Sequence, residues 1–249
     1  MGALSRRTFI AGAVVAAASL AACDADVPAD DSDDTTDVVV TDPAVTGPKR
    51  SAEPPVIEIL ESGMSDPSYG YVSAWAVARN TSETDAVVAP QIRLAACDEA
   101  GNELQDDVQP VSDEIVLAAM PGQTFAVATF FEAAEGISRV EAQALAVEDE
   151  AHFTWEGDVP QLPVTDVSVS ESGTPELTVT GMVENDLPDE AYVRVVAILR
   201  DAEGRGMDAN FDFGSPIPAG EKGSFSIGLV SPEPHASVDL YALAEYREE

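Results

Sequence analysis

From residue 54 onward, the chain alternates short apolar stretches with Gly, Pro, Asn and Asp residues. Some of these stretches alternate apolar and polar positions with a period of two, as in residues 177–180 (LTVT). This period places successive side chains on opposite faces of a β-strand. No 12-residue window keeps a helical period through strong helix formers. The pattern therefore predicts an all-β protein, in which residues 118–120 and 132–136 could form single helical turns.

The same order of elements occurs twice along the chain. Each copy has a strand that ends at Asn, a strand that enters an acidic turn closed by Gly, and a Pro- and Gly-containing turn that opens another strand. The matched positions are Asn80/Asn185, Asp98/Asp201, Gly101/Gly204 and Ala146/Ala244. We interpret this order as a duplication. It predicts equivalent core positions at Val72/Leu177, Ala96/Leu199 and Val127/Phe225.

Two motifs of the second copy, residues 181–185 (GMVEN) and 197–201 (AILRD), carry a resemblance to a known family. With the turns that follow them, they resemble the FxLYD family of bacterial and archaeal surface domains. The resemblance covers most of residues 66–146 and 174–244. The first copy departs from the family pattern at Ala76, Ala78, Ala96 and Cys97. The resemblance implies tandem immunoglobulin-like β-sandwiches at a cell surface, and it implies no activity.

The first 22 residues have the features of an export signal. Arg6 and Arg7, followed after one residue by Phe9 and then by an apolar run, resemble a twin-arginine motif. As a helix, residues 10–22 would span about 20 Å, too short for a hydrocarbon core of about 30 Å. A permanent transmembrane helix is therefore not expected.

The apolar run ends in Leu20, Ala21, Ala22 and Cys23, a sequence that resembles a lipobox. The resemblance implies cleavage before Cys23 and a diacylglyceryl group on its sulfur. Two acyl chains, at about 0.8 kcal/mol per buried CH₂, give stable attachment to membrane lipid. We therefore expect a lipoprotein at the outer face of the cell membrane. The alternative is a secreted protein cut elsewhere, in which Cys23 is incidental.

These features divide the chain into four segments. Residues 1–22 are the predicted signal peptide, and residues 23–53 are the lipid anchor followed by a disordered acidic tether. The tether is rich in Asp and Pro and has no aromatic residue, so it cannot bury enough apolar area to fold. Residues 54–158 and 159–249 are the two predicted sandwiches.

The formal net charge of −34 lies mostly on the predicted folded part. Residues 54–249 contain 37 acidic and 8 basic residues, a net charge of −29. Such a surface argues against nucleic acid or anionic lipid as a partner. The acid excess and the ratio of two lysines to ten arginines slightly favour a salt-loving source.

Few residues suggest chemistry. His152 and His235 are too far apart in sequence to resemble a metal-binding pair, and we interpret both as solvated loop residues. Cys97 is a lone thiol without an activating neighbour. Asn80 begins a glycosylation sequon, but it also lies at the matched turn, where Asn tolerates left-handed backbone geometry. We find no motif for a nucleophile or a phosphate loop, and we predict no catalytic residue, cofactor or metal.

One group of aromatic residues is a candidate binding patch. If the alanines of residues 74–78 face a core, the period of two sends Trp75 to the opposite face, near Tyr69 and Tyr71. These three aromatic residues either pack on the second domain or form a binding patch.

The sequence therefore predicts a lipid-anchored, non-catalytic binding or presentation protein, whose partner is an unknown surface protein or ligand. One alternative is an accessory subunit of a membrane-bound transporter or envelope complex. Another is an unrecognised hydrolase.

Overall fold

The computed structural model describes residues 51, 53–109, 116–173, 176–230 and 235–245. The export motif, the lipobox, Cys23 and nearly all of the tether lie outside these residues. The described part is all-β, as the sequence predicts, with one 3-10 turn at Asp149–Ala151. None of its helices is long and apolar enough to cross a membrane.

The strands are short and follow one another closely along the chain. In the first copy they are β1 (Ile57–Met64), β2 (Tyr71–Asn80), β3 (Asp85–Val88), β4 (Ile92–Cys97), β5 (Glu103–Gln109), β6 (Leu117–Ala119), β7 (Thr124–Glu132), β8 (Arg139–Ala144) and β9 (His152–Thr154). In the second copy they are β10 (Val164–Gly173), β11 (Glu176–Glu184), β12 (Val193–Arg200), β13 (Gly206–Phe213), β14 (Lys222–Val230) and β15 (Ser237–Glu245).

Both expected helical turns are absent. Residues 118 and 119 belong to strand β6, because this segment pairs with β3 on one side and β15 on the other. Residues 132–136 leave strand β7 through a non-helical turn.

Each copy contains two antiparallel three-strand units in the same order. In the first copy, β1-β2-β7 packs on β5-β4-β8. In the second copy, β10-β11-β14 packs on β13-β12-β15. Each strand of these units in one copy has its counterpart at the same place in the other, and β3, β6 and β9 of the first copy stand outside this match. The duplicated order of the sequence is therefore also an order of the fold.

The predicted equivalent core positions are confirmed, since all six residues are buried. Where the core residue of one copy is larger, the residue opposite it on the neighbouring strand is smaller. Ala76 lies opposite Val127 in the first copy, whereas Gly181 lies opposite Phe225 in the second. A Cβ atom on Gly181 would come within 2.6 Å of Phe225 Cζ, so the larger Phe ring requires the smaller partner.

The two copies share a sheet, so the expectation that residues 54–158 and 159–249 form separate sandwiches is wrong in this respect. A six-stranded sheet runs in the order β13-β12-β15-β6-β3-β9 and crosses the boundary between residues 158 and 159. The crossing is the pairing of Ala244 with Ala118 and of Glu245 with Leu117. Without β15, the backbone N–H and C=O groups on this edge of β6 would have no strand to pair with. Pairing with β15 supplies their hydrogen-bond partners.

The copies also meet through an apolar junction centred on Trp75. Trp75 is 1% exposed and packs in one cluster with Val196, Ile198 and Ala209 of the second copy. Packing on the second copy, one of the two alternatives for this residue, is therefore confirmed. Its assignment to an exposed binding patch is wrong, because β12 and β13 cover this part of the outer face of β2.

Polar contacts reinforce the junction. Both guanidinium NH₂ groups of Arg200 donate to the Glu61 carboxylate, at 2.5 and 2.9 Å, and Arg200 Nε donates to Asp239 at 2.8 Å. The hydrogen bond to Glu61 is the main cause that raises the pKa of Arg200. Gln123 Nε2 donates to the carbonyl of Ala242 at 2.8 Å. The contacts of Arg200 with Glu61 and of Gln123 with Ala242 thus link the two copies, while Asp239 holds Arg200 from within the second copy.

The matched asparagines have a structural role that the sequence did not indicate. Asn80 is fully buried, and its Nδ2 donates to the carbonyls of Asp85, Ala119 and Met120 at 2.8–3.1 Å. It is not among the described residues with positive φ, so the left-handed interpretation is wrong. Burial also removes its amide from glycosylation in the folded protein. Asn185 is equally buried and donates to the carbonyls of two chain segments.

Salt is expected to stabilise this fold. Residues 54–249 hold 37 acidic residues against 8 basic ones, so even if every basic residue formed an ion pair a net charge of −29 would stay uncompensated. At 1 M salt the Debye length falls to about 3 Å, which screens the repulsion between exposed carboxylates.

The melting temperature of the chain from residue 23, with Cys23→Ser, should therefore rise from millimolar to molar sodium chloride. A melting temperature that stays flat or falls would show that charge repulsion does not limit stability.

Candidate functional site

A cavity of about 360 Å³ opens where the two copies meet, beyond the covered part of β2. We name it the junction groove. Its first-copy residues are Ser65, Ser68, Tyr69, Tyr71, Ser73 and Phe130. Its second-copy residues are Asp208, Asn210, Gly228 and Val230. Tyr71 and Ser73 lie on the same face of β2 as Trp75, so the groove continues the junction at its uncovered end.

Three aromatic residues give the groove an exposed apolar surface. Tyr69 is 69% exposed, Tyr71 52% and Phe130 46%. The candidate residues Tyr69 and Tyr71 thus lie together, and Phe130 takes the place that the sequence assigned to Trp75. Phe130 lies on β7 opposite Ser73. The adjacent Phe131 is buried. Because successive side chains of a strand point to opposite faces, the sequence could have indicated that one residue of this Phe-Phe pair is exposed.

Tyr69 is held in a strained turn at the edge of the groove. Ser68 and Tyr71 exchange two backbone hydrogen bonds of 2.8 Å, which leaves Tyr69 and Gly70 as a two-residue loop. Both loop residues have positive φ, 50° and 83°, as in a type I′ turn. This conformation favours Asn, Asp or Gly, and it is costly for Tyr. Strain of this kind is often kept at functional sites.

The side chain of Tyr69 reaches the second copy. Its hydroxyl donates to Glu176 Oε1 at 3.1 Å, and this hydrogen bond is the main reason that the pKa of Tyr69 is raised. The contact ties the turn that holds Tyr69 to the second copy.

The variant Tyr69→Asn is expected to raise the free energy of unfolding by about 0.5–1 kcal/mol, because Asn tolerates the left-handed region. The matched control is Tyr71→Asn, which places the same residue in an extended strand and should lower stability. Urea unfolding followed by circular dichroism measures both variants. A loss of stability in Tyr69→Asn would contradict the strain described here.

Asp208 places a buried carboxylate at the groove. It is 6% exposed, accepts a hydrogen bond from the Ser73 hydroxyl, and accepts another from the Val230 backbone N–H at 2.7 Å. Burial raises its pKa. No Lys, Arg or His of the described residues forms an ion pair with it. Its hydrogen-bond donors are therefore neutral, and its charge has no cationic partner within the described part.

The interpretation of His152 as a solvated loop residue is wrong. His152 is buried on β9, with Nδ1 3.2 Å from Asp85 Oδ2. Burial opposes the ionisation of Asp85, but hydrogen bonds from Ser51, Thr154 and His152 outweigh it and lower the pKa of Asp85. Within the described residues, no hydroxyl or thiol forms a hydrogen bond with this imidazole. The pair links β3 to β9 and lacks the nucleophile of a catalytic triad.

Neither a reactive thiol nor a metal site has support among the described residues. Cys97 is buried on β4, and burial raises the pKa of its thiol, which disfavours the reactive thiolate. The described part contains no cluster of three or more His, Cys, Asp or Glu side chains with the geometry of a metal site.

Comparisons with known proteins leave the family of this chain open. No family model and no curated relative matches it. The chain is 8% identical to procruciferin, an 11S globulin from Brassica napus, over 79% of this chain and 83% of that chain, with a TM-score of 0.13. The pro-11S globulin of pumpkin is also 8% identical, over 79% and 85% of the two chains, with a TM-score of 0.11. TM-scores this low establish no shared fold, and the FxLYD resemblance stays a prediction.

Proposed function

We propose that this protein is a non-catalytic binding protein, held by a lipid at the outer face of the cell membrane, which takes its ligand in the junction groove. The observation that carries the proposal is the composition of that groove. Three exposed aromatic rings lie beside a buried carboxylate, at a place to which both copies contribute. Aromatic surface next to a few fixed polar groups is the usual composition of a ligand site.

The contacts that join the two copies support the same function. Trp75, Arg200 and the shared sheet hold the two copies together, so the groove is already formed before a ligand arrives. Binding to a formed groove avoids the entropy cost of ordering its walls. A duplication whose two copies are fused can thus provide a site that neither copy has alone.

The anchoring part of the proposal predicts that the mature protein begins at a diacylated Cys23. Mass spectrometry of protein extracted from membranes should find this N-terminus, and the Cys23→Ser chain should leave the membrane fraction. An unmodified N-terminus elsewhere, or a Cys23→Ser chain that stays on the membrane, would contradict the anchor.

The binding part can be tested by ligand capture. The chain from residue 23, with Cys23→Ser, is mixed with a small-molecule extract of the source cells and separated by size. Molecules released on denaturation are then identified by mass spectrometry. At least one compound should be enriched on this chain and lost with Phe130→Ser. The control Leu104→Ser removes an exposed apolar residue outside the groove and should keep the compound. Equal capture by all three chains would contradict binding in the groove.

A further inference from the structure

We infer that the junction groove binds a small organic cation that carries a methylated ammonium group. The inference rests on the proposed binding function and names the ligand class of that same groove. It follows from the aromatic rings, the buried carboxylate and the size of the cavity.

The aromatic residues supply the first part of the recognition. Tyr71 and Phe130 lie on the neighbouring strands β2 and β7, Tyr69 lies in the turn that leads into β2, and each of the three keeps about half or more of its surface exposed. The face of an aromatic ring attracts a cation through its quadrupole, and several rings around one site favour alkylated ammonium groups. Methylation suits such a site, because methyl groups gain from apolar contact and weaken the hydration of the charge.

Asp208 supplies the second part. Its carboxylate lines the cavity, accepts hydrogen bonds only from neutral donors and has no cationic partner in the described residues. An ionised carboxylate is costly to bury unless an opposite charge approaches it. A cation in the groove would provide that charge. The net charge of −34 also attracts cations to the molecule and repels anions.

The dimensions and the side chains favour an organic cation over a metal ion. A volume of about 360 Å³ lies in the range of small-molecule sites, far above the volume of a bare ion. A metal ion would need several oxygen ligands fixed around one point, and the described residues offer no such cluster. One carboxylate and three aromatic rings suit an ammonium group whose single positive charge is surrounded by methyl groups.

The probe for this inference is choline, compared with its uncharged carbon isostere 3,3-dimethylbutan-1-ol. Both are titrated by calorimetry into the chain from residue 23 with Cys23→Ser. The two probes have nearly the same shape, so the difference between their affinities reports the charge. Choline is expected to bind at least about tenfold more tightly than the isostere.

Variants of the same chain locate the site. Asp208→Asn keeps the shape of the side chain, removes its charge, and should weaken choline binding at least about tenfold. The matched control is Asp212→Asn, on the same strand. Asp212 also accepts a backbone N–H, from Ser226 at 2.9 Å, but it lies outside the groove. This control should change choline affinity less than twofold. Phe130→Leu should weaken binding severalfold by removing one ring, and thermal melting checks that every variant is folded.

Several results would overturn the inference. Equal affinity for choline and the isostere would show that charge is not recognised, and equal loss in Asp208→Asn and Asp212→Asn would show only general attraction to an acidic surface. Tighter binding of a trimethyllysine peptide than of choline would identify a protein partner in place of a small molecule. Choline could show no binding while a compound captured from the extract is no longer captured by Phe130→Ser. In that case the binding function stands and the cationic ligand class is wrong.

Discussion

Replacing Trp75 with alanine is expected to lower the free energy of unfolding by about 3–5 kcal/mol, the usual cost of removing a fully buried large aromatic ring. The ring lies between two glycines, Gly63 on β1 and Gly206 on β13. A Cβ atom on either glycine would come within 2.5 Å of Trp75 Cζ2. The side chain therefore fills a slot built from both copies, and its removal leaves a cavity at their junction. Urea unfolding at molar salt measures the loss.

The control for this prediction is Leu104→Ala, which removes an exposed apolar side chain on β5 and should cost well under about 1 kcal/mol. A complementary variant, Gly206→Ala, adds a methyl group to the slot and should cost about 1–3 kcal/mol through overpacking. If Trp75→Ala costs no more than Leu104→Ala, the junction does not contribute to stability as described.

The second large effect is expected at the matched asparagines. Asn80→Ala and Asn185→Ala should each lower the free energy of unfolding by about 2–4 kcal/mol. Each change removes at least three side-chain hydrogen bonds, including the one that Oδ1 accepts from a backbone N–H two residues later, at about 0.5–1.5 kcal/mol net per bond. These amides link the end of one strand to two other chain segments.

Asn102→Ala is the control for the asparagines, because this exposed residue bonds only to Asp98 within its own turn. Its loss should cost less than about 1 kcal/mol. Circular dichroism during urea unfolding gives the three values under one condition. A cost below 1 kcal/mol for both Asn80→Ala and Asn185→Ala would contradict the role assigned to the buried amides.

The sequence predicted the elements that depend on local pattern. The period of two identified the β class, and the repeated motifs matched Val72 with Leu177 and Val127 with Phe225 at buried positions. Alternation along β2 also placed Trp75 on the face opposite the alanine-rich core. These results depend only on neighbours within one strand or one copy, which is the information that a sequence pattern contains.

The features that the sequence missed depend on contacts between distant segments. Residues 118 and 119 form a strand because they pair with β3, about 30 residues earlier, and because β15 of the other copy pairs with Leu117 and Ala118. The partner of His152 is Asp85, 67 residues earlier. Asp208 is one of 46 acidic residues, and no local signal separates it from those on the surface. The groove could not be predicted, because its two walls come from different copies and meet only after the junction has formed.

The most direct test of the central claim, that both copies form one unit around Trp75, is equilibrium urea unfolding at molar salt. The chain from residue 23 carries Cys23→Ser and Trp155→Phe, so fluorescence reports Trp75 alone while circular dichroism reports all strands. A single unit predicts one transition, with the same midpoint by both signals. Two transitions, or exposure of Trp75 while most strand signal remains, would show that the copies separate before they unfold and would contradict this account.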